Sequence, residues 1–132
     1  MKSLDTNIII RFLVNDDKLQ ANKVKNLFEK VEIQSGLFFI INAVLIEVLW
    51  ILKSVYDYKR SDIIKAIESL SQMSIIKFEN NDAIQEFILQ SKKTNNELDD
   101  LLIGIIAKCH GNEPTITFDL RASKSALFEL LK

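Results

Sequence analysis

Four acidic residues, far apart in this 132-residue sequence, each lie inside or beside an apolar segment: Asp5, Glu47, Asp100 and Asp119. Ionised carboxylates that folding brings close together repel one another. At a separation of about 4 Å and an effective dielectric constant of about 20, each pair repels by roughly 4 kcal/mol. A divalent cation removes that repulsion, and a set of oxygen ligands without His or Cys suits Mg²⁺ or Mn²⁺ better than Zn²⁺. If folding brings these acids together, the sequence therefore predicts a magnesium or manganese site.

Predicted strands and helices alternate along the chain. Short apolar runs predict strands at residues 1–4, 37–41, 74–78 and 115–118, and apolar residues at helical spacing predict helices between them. This alternation favours right-handed crossover connections, which place helices on both faces of a parallel sheet. We therefore predict an α/β fold, a three-layer α/β/α sandwich with a central, mostly parallel sheet of four to five strands.

The number of strands and of domains depends on two further observations. The last residues, 127–132, fit either a helix or a fifth strand, so the sequence leaves the strand count open. The chain has one Pro, three Gly and no internal repeat, so nothing in it is typical of a linker. We therefore predict a single domain over residues 1–132.

The predicted topology brings the four acids to one edge of the sheet. Ligands of open parallel sheets bind beyond the carboxyl ends of the strands, and Asp5 and Asp119 each directly follow a predicted strand. Glu47 lies about one turn into the helix that leaves the second strand. Asp100 lies in the first turn of a helix that runs antiparallel to the fourth strand, so this turn also lies at the carboxyl edge.

Apolar residues surround Glu47 on every side of its helix, over residues 44–52, and this pattern predicts that the helix is largely buried. An ionised carboxylate there is costly unless it is paired or binds a metal ion, and a buried salt bridge to Arg11 or to a Lys side chain is the alternative to a metal. Taken singly, Asp5 is better explained as a helix N-cap and Asp119 as a turn residue. The metal-site hypothesis therefore depends on the convergence of the acids.

The helix that begins near Glu97 carries more than one acid in its first turn. Glu97 and Asp100 are three residues apart and share a face, with Gly104 leaving room one turn further along. Asp99 precedes a more apolar stripe. Spacing alone leaves open which of these acids faces the site.

Charge and composition exclude several classes of protein. The chain has 17 Lys and Arg against 18 Asp and Glu, a formal charge of −1, so any nucleic-acid binding must be local rather than spread over a basic face. Its small basic groups, at Lys53, Lys59-Arg60 and Lys92-Lys93, are typical of solvated surfaces. No apolar run is long enough to span a membrane and the N-terminus lacks the order of a signal peptide, so we expect a soluble, cytoplasmic protein without a membrane partner.

Neither the single cysteine nor the single histidine is predicted to be a catalytic or metal-binding residue. Cys109 lies in an apolar helical pattern, which predicts a buried structural thiol. His110 lies at the predicted end of that helix, away from the carboxyl edge, and is expected to be a surface or capping residue. A mechanism based on histidine or zinc therefore has no support.

With these motifs assembled, the sequence resembles the PIN domain family, and within it the VapC-type toxin ribonucleases of toxin–antitoxin pairs. The resemblance covers nearly the whole chain. It rests on Asp5-Thr6-Asn7 after the first strand, on residues 44–49 around Glu47, on residues 100–104, and on Thr117-Phe118-Asp119. The order and spacing of these motifs are more specific than any one of them.

The resemblance implies a function and roles for residues. It implies a hydrolase, an endoribonuclease that cleaves phosphodiester bonds of single-stranded or structured RNA with a water activated by Mg²⁺ or Mn²⁺, commonly a homodimer inhibited by a cognate antitoxin protein. Asp5, Glu47 and Asp100 would bind the metal and Asp119 would complete the site. The resemblance also selects Asp100 over Asp99. The supporting residues that it implies are Thr6, Asn7, Thr117 and, as an auxiliary acid, Glu97.

One position departs from the family pattern, and other interpretations compete. The family tends to place Ser or Thr where this chain has Asn42, which can cap the following helix equally well. A catalytically silent PIN-like RNA-binding or scaffold module is the alternative that keeps the fold. A phosphoacceptor receiver domain needs an Asp after the third strand, where residues 78–80 have none, and a haloacid-dehalogenase phosphatase needs an Asp where the chain has Asn7.

Overall fold

The computed structural model describes all residues, 1–132, and divides into two compact units. We call Met1–Glu79 the N-terminal unit and Asn80–Lys132 the C-terminal unit, and each is described by itself. The prediction that the chain forms a single domain stays a prediction. None of the six helices combines the length and the apolar character that crossing a membrane requires.

The N-terminal unit contains three strands and four helices. In chain order they are β1 (Lys2–Ser3), α1 (Thr6–Leu13), α2 (Lys18–Ile33), β2 (Phe38–Ile40), α3 (Asn42–Ser54), α4 (Arg60–Ser71) and β3 (Ile76–Phe78). The strands pair in parallel in the order β1-β2-β3, with Lys2 opposite Phe38 and Ile40 opposite Phe78. The first three predicted strands are therefore confirmed, each with shorter bounds than the apolar run suggests.

The core of this unit follows from the spacing of its apolar residues. The buried residues of α3 recur three and four positions apart, which places Leu45, Val48, Leu49 and Leu52 on one face of the helix. The ring of Phe28, on α2, lies against other aromatic rings that α1 and β2 contribute. The sheet is thereby covered by helices whose opposite faces remain exposed.

A carboxylate from the end of β3 caps the start of α3. The N-cap of α3 is Ile41, whose apolar side chain cannot accept a hydrogen bond. The prediction that Asn42 caps this helix is therefore wrong. Instead the Oε1 atom of Glu79 accepts the backbone N–H of Asn42 at 2.9 Å. The backbone N–H of Glu79 donates to the carbonyl oxygen of Ile40, also at 2.9 Å. The neighbouring strand therefore fixes the start of the helix that carries Glu47.

The C-terminal unit contains two helices and two strands. They are α5 (Asn81–Lys93), α6 (Leu98–Cys109), β4 (Thr115–Thr117) and β5 (Phe128–Leu130), with one 3₁₀ turn (Ala122–Lys124) between the strands. β4 and β5 pair in parallel, so the last residues form a fifth strand. The predicted α/β class with parallel strands is confirmed, and the five strands are divided between a three-stranded and a two-stranded ladder.

The end of α6 agrees with the sequence in one respect and differs in another. His110 is the C-cap and Gly111 adopts a positive φ of 76°, as expected for a helix that stops at this point. Cys109, however, is exposed, so its predicted burial is wrong. It is the last residue of α6, beyond the buried residues that pack the helix, the last of which is Ile105.

Gly104 lets the final strand pack closely against α6. A Cβ atom built on Gly104 would lie 2.9 Å from Cε2 of Phe128 and 3.0 Å from Cβ of Leu127. These separations are shorter than carbon atoms tolerate, so only glycine fits without a shift of its neighbours. The space above Gly104 is therefore filled by the segment that leads into β5.

We expect Gly104→Ala to lower the free energy of unfolding by about 1 kcal/mol. Overpacking costs roughly 1–3 kcal/mol, and the higher helix propensity of Ala offsets about 1 kcal/mol of it. Urea unfolding measures the difference. Combining Gly104→Ala with Phe128→Leu should cost less than the sum of the two single losses, and strict additivity would contradict the contact.

We expect Glu79→Ala to lower the free energy of unfolding by about 1 kcal/mol, because the N–H of Asn42 loses its charged acceptor at a helix N-terminus. Glu79→Gln keeps an oxygen at this position and should cost less. Glu29→Ala, on the exposed face of α2, is the control, with an expected change within about 0.5 kcal/mol. Equal stability of Glu79→Ala and the control would show that Glu79 does not cap α3.

Candidate active site

The N-terminal unit holds a cleft of about 330 Å³ that contains several residues predicted for the site. We call it the N-terminal cleft. It is lined by Asp5, Thr6, Asn7, Ile10, Arg11, Glu47, Ile51, Val55 and Tyr56. Asp5 and Glu47, 42 positions apart in sequence, therefore share one cleft, formed where α1 and α3 lie side by side.

Asp5 is held in place by the backbone around it. The N–H of Leu4 donates to the carbonyl oxygen of Phe39 at 2.9 Å, which extends the pairing of β1 with β2 up to Asp5. Asp5 is the N-cap of α1, and its Oδ1 accepts the N–H of Thr6 at 2.7 Å. Its second carboxylate oxygen accepts no hydrogen bond from the protein. One oxygen orients the side chain and the other is available to a ligand.

Glu47 is exposed, and the expectation that its helix is largely buried is wrong. The residues at 43, 47, 50 and 54 recur at helical spacing along a solvent-facing stripe of α3, and Trp50 on this stripe is 55% exposed. The alternative salt bridge between Glu47 and Arg11 is also wrong, because Arg11 pairs with Asp16 at 3.2 Å and Glu47 has no ion-pair partner. Its position in the cleft, rather than burial, singles out Glu47.

The C-terminal unit holds a second cleft, of about 280 Å³. We call it the C-terminal cleft. It is lined by Asn95, Asn96, Glu97, Asp100, Asp119, Arg121, Ala122, Lys124 and Ser125. Asp99 does not line it and instead accepts the backbone N–H of Asp100 at 3.0 Å. The structure therefore separates the acids that spacing left unresolved, with Glu97 and Asp100 in the cleft and Asp99 outside it.

Asp119 resembles Asp5 in how it is held. The hydroxyl oxygen of Thr117 accepts the N–H of Asp119 at 2.9 Å. The Oδ1 atom of Asp119 accepts the N–H groups of Arg121 at 2.9 Å and of Ala122 at 3.2 Å, which anchors the 3₁₀ turn. The second oxygen of Asp119 accepts no hydrogen bond from the protein. Asp119 is therefore a turn residue, as its position in the sequence predicts, and it is also a candidate ligand for a metal ion.

The C-terminal cleft also contains two cations that sequence reasoning missed. Arg121 forms an ion pair with Glu97 at 3.0 Å, and Lys124 lines the same cleft. The only signal in the sequence is that both residues follow Asp119 within one short turn. Since the side chain of Arg121 is 69% exposed, solvent screens the pair and it contributes little to stability.

Arg11 is the cation of the N-terminal cleft, and it is held by several hydrogen bonds. Its Nη1 donates to the hydroxyl oxygen of Tyr56 and to Oδ1 of Asp16, both at 3.2 Å. The hydrogen bond to Tyr56, together with the charge of Asp16, raises the pKa of Arg11 above its usual value. The cleft therefore contains a permanent positive charge beside Asp5 and Glu47.

The chemistry of both clefts fits a hard divalent cation. The acids offer oxygen ligands, and neither cleft contains His or Cys, which agrees with Mg²⁺ or Mn²⁺ rather than a softer metal. Within either unit, no group of three or more Asp, Glu, His or Cys side chains is close enough to hold a metal ion. Neither unit by itself supplies a complete set of carboxylate ligands.

Comparison with known proteins gives one family and one relative. The model of the PIN domain family matches residues 3–126, a range that includes the acids of both clefts. A VapC ribonuclease of Aquifex aeolicus (strain VF5) is 26% identical over 124 residues, which cover 94% of this chain and 91% of that protein. No solved structure matches the chain.

The double role of Asp119 leads to a prediction about stability. Asp119→Asn keeps an oxygen that can accept the N–H groups of the turn, so the free energy of unfolding should stay within about 0.5 kcal/mol of the unmodified protein. Asp119→Ala removes the acceptor and should cost about 1 kcal/mol. Thermal or urea unfolding measures both. If the two substitutions were equally harmless, Asp119 would not anchor the turn.

Proposed function

This chain belongs to the PIN domain family, and from that premise we propose that it is a metal-dependent endoribonuclease. The substrate is RNA, single-stranded or structured, and the reaction is hydrolysis of a phosphodiester bond. The observation that carries the proposal is that two clefts present the predicted acids, with one carboxylate oxygen of Asp5 and one of Asp119 unused by the protein. The resemblance to a VapC ribonuclease over almost its whole length supports RNA as the substrate.

The fold is the one that this function requires. The family match and the mixed α/β structure with parallel strands confirm the predicted PIN-like fold class, the α/β/α sandwich. Such folds bind ligands beyond the carboxyl ends of their strands. Asp5 and Asp119 lie within two residues of the ends of β1 and β4, where a ligand of this kind is expected.

We assign metal binding to Asp5, Glu47, Asp100 and Asp119. When bound, Mg²⁺ or Mn²⁺ supplies a Lewis acid that lowers the pKa of a water molecule and offsets the charge of the phosphate. Asp5 and Glu47 would contribute from the N-terminal cleft, and Asp100 and Asp119 from the C-terminal cleft.

The remaining residues of the clefts support these acids. The N–H of Thr6 donates to the carboxylate of Asp5 and restricts how it can turn, and the hydroxyl of Thr117 accepts the backbone N–H of Asp119 and so positions that residue. Asn7 lines the N-terminal cleft with an amide that can bond to substrate. Glu97 forms the ion pair with Arg121, so its auxiliary role is to hold that cation at the cleft.

We further propose that the chain is the cytoplasmic toxin of a toxin–antitoxin pair and acts as a homodimer. The support is the named relative, a VapC ribonuclease, and the apolar residues that α3 and its flanks expose, with Ile41, Trp50 and Val55 each 39% exposed or more. Exposed apolar residues of this size are typical of surfaces that bind another protein. A short neighbouring reading frame, whose product inhibits cleavage when the two proteins are co-expressed, would support the pairing.

We expect RNA cleavage to require Mg²⁺ or Mn²⁺, to stop with EDTA, and to return when the metal is restored. Asp5→Asn and Asp100→Asn should each reduce the rate on the order of 100-fold or more, because each removes a charged ligand from the reacting centre. Asp82→Asn is the matched control, since Asp82 lies in the first turn of α5 and lines neither cleft. The measurement is cleavage of a mixture of RNAs resolved by gel electrophoresis.

The double variant Asp5→Asn with Asp100→Asn tests whether these two acids act in the same reaction. Residues that act as a unit are strongly non-additive, so the double variant should lose little more activity than either single one. Losses that multiply would show two independent contributions. Cleavage that survives EDTA would contradict the metal mechanism, and RNA binding without any cleavage would favour the catalytically silent RNA-binding module.

A further inference from the structure

Arg11 donates hydrogen bonds to three different side chains of the protein. Its Nε donates to Oε1 of Gln20 at 2.7 Å, and its Nη1 donates to Asp16 and Tyr56 at 3.2 Å each. The hydroxyl of Tyr56 in turn donates to Oδ2 of Asp16 at 3.0 Å. The groups that hold Arg11 come from the α1–α2 connection, from α2 and from the residues after α3.

These bonds leave one terminal nitrogen of the guanidinium, Nη2, without a hydrogen-bond partner. An arginine side chain has five N–H donors, one on Nε and two on each terminal nitrogen. The three bonds from Nε and Nη1 account for three of them, and Nη2 donates to no group of the protein. Arg11 is nevertheless a residue of the cleft that contains Asp5 and Glu47. Its free donors are therefore available to a ligand of that cleft.

We infer that Arg11 binds a phosphate group of the RNA backbone in the N-terminal cleft. The assignment of RNA as the ligand rests on the proposed function, whereas the preference for an oxyanion rests on the guanidinium itself. The two N–H groups of Nη2 are free to donate, and charge-assisted hydrogen bonds from a guanidinium to phosphate oxygens are stronger than those between neutral groups. Because three hydrogen bonds already fix the side chain, binding costs little further loss of its conformational freedom.

The alternative role of Arg11, neutralisation of the two acids, does not fit its contacts. Arg11 forms its ion pair with Asp16 and not with Asp5 or Glu47. Asp16 is exposed, with 44% of its side chain accessible, so the pair is screened and leaves the cation able to attract a second anion. Asn7 lies one helical turn before Arg11 on α1 and lines the same cleft, which gives the phosphate a second donor on the same face.

The test measures binding of a single-stranded oligoribonucleotide in Mg²⁺, with every protein carrying Asp100→Asn so that the substrate stays intact. In this background, Arg11→Ala should weaken RNA binding about 10-fold or more. It should also reduce the slope of log affinity against log salt by about 0.7, the value for one phosphate contact with a single strand. Lys65→Ala, on the exposed face of α4, is the control and should change neither.

Two conservative variants separate binding from folding. Arg11→Lys keeps the charge but lacks the planar guanidinium and its Nη2 donors, so the salt slope should remain and the affinity should fall. Tyr56→Phe removes an acceptor of Arg11 and should weaken binding a few-fold without changing the slope. Thermal unfolding of each variant shows that it is folded. If folded Arg11→Ala and Arg11→Lys both bind RNA as tightly as the background protein, the inference is wrong.

Two further measurements identify the ligand. Inorganic phosphate serves as the competitor, and an effect of Arg11→Ala on phosphate but not on RNA binding would overturn the assignment to the RNA backbone. Titration with Mn²⁺ tests the alternative role, because tighter metal binding by Arg11→Ala with unchanged RNA affinity would show that Arg11 neutralises the acids.

The failure of this inference and the failure of the proposed function are distinguishable. If Arg11→Ala binds RNA more weakly but the unmodified protein cleaves no RNA under any condition, the phosphate site is supported and the proposed nuclease activity is contradicted. If the unmodified protein shows metal-dependent cleavage but its affinity for RNA does not depend on Arg11, the nuclease activity is supported and the phosphate site is contradicted.

Discussion

The backbone N–H groups at the start of a helix need acceptors, and this requirement explains the positions of three acids that follow strands in this protein. The first N–H groups of a helix have no partner within it. At the ends of β1, β3 and β4 the chain supplies them with carboxylates, from Asp5 to α1, from Glu79 to α3 and from Asp119 to the 3₁₀ turn. The hydrogen bonds that start these segments therefore also place negative charge at the ends of strands.

The same constraint explains how one residue can serve both structure and chemistry. A carboxylate has two oxygens, and capping uses one of them. Asp5 and Asp119 each bond to backbone N–H groups through Oδ1 and have a second oxygen that the protein does not use. The interpretation of either residue as a simple cap is correct as far as it goes. It does not compete with a role in binding a cation, because the cap orients the oxygen that remains.

Each cleft contains an arginine beside its acids, although the contacts of the two arginines differ. In the C-terminal cleft Arg121 pairs directly with Glu97. In the N-terminal cleft Arg11 pairs with Asp16, which does not line the cleft, and leaves Asp5 and Glu47 without an ion-pair partner. The proposed function calls for charges of both signs, because its ligands would be a divalent cation and a polyanion. The net charge of −1 for the whole chain gives no indication of this local arrangement.

The sequence by itself determined what depends on neighbouring residues. The order of strands and helices, the N-cap at Asp5 and the stop after Cys109 follow from local pattern, because hydropathy period, capping and turn chemistry act over a few residues. The family was indicated by the resemblance of four short motifs, in their order and spacing along the chain. The tertiary structure decided which side of a helix faces solvent and which distant groups meet. Hydropathy could not show that Glu47 is exposed, since every side of α3 carries apolar residues. Nor could spacing show that Glu79 caps α3 or that Arg11 bonds to Tyr56. Each of these depends on contacts between elements, and pairing between side chains distant in sequence leaves no periodic trace in a single chain.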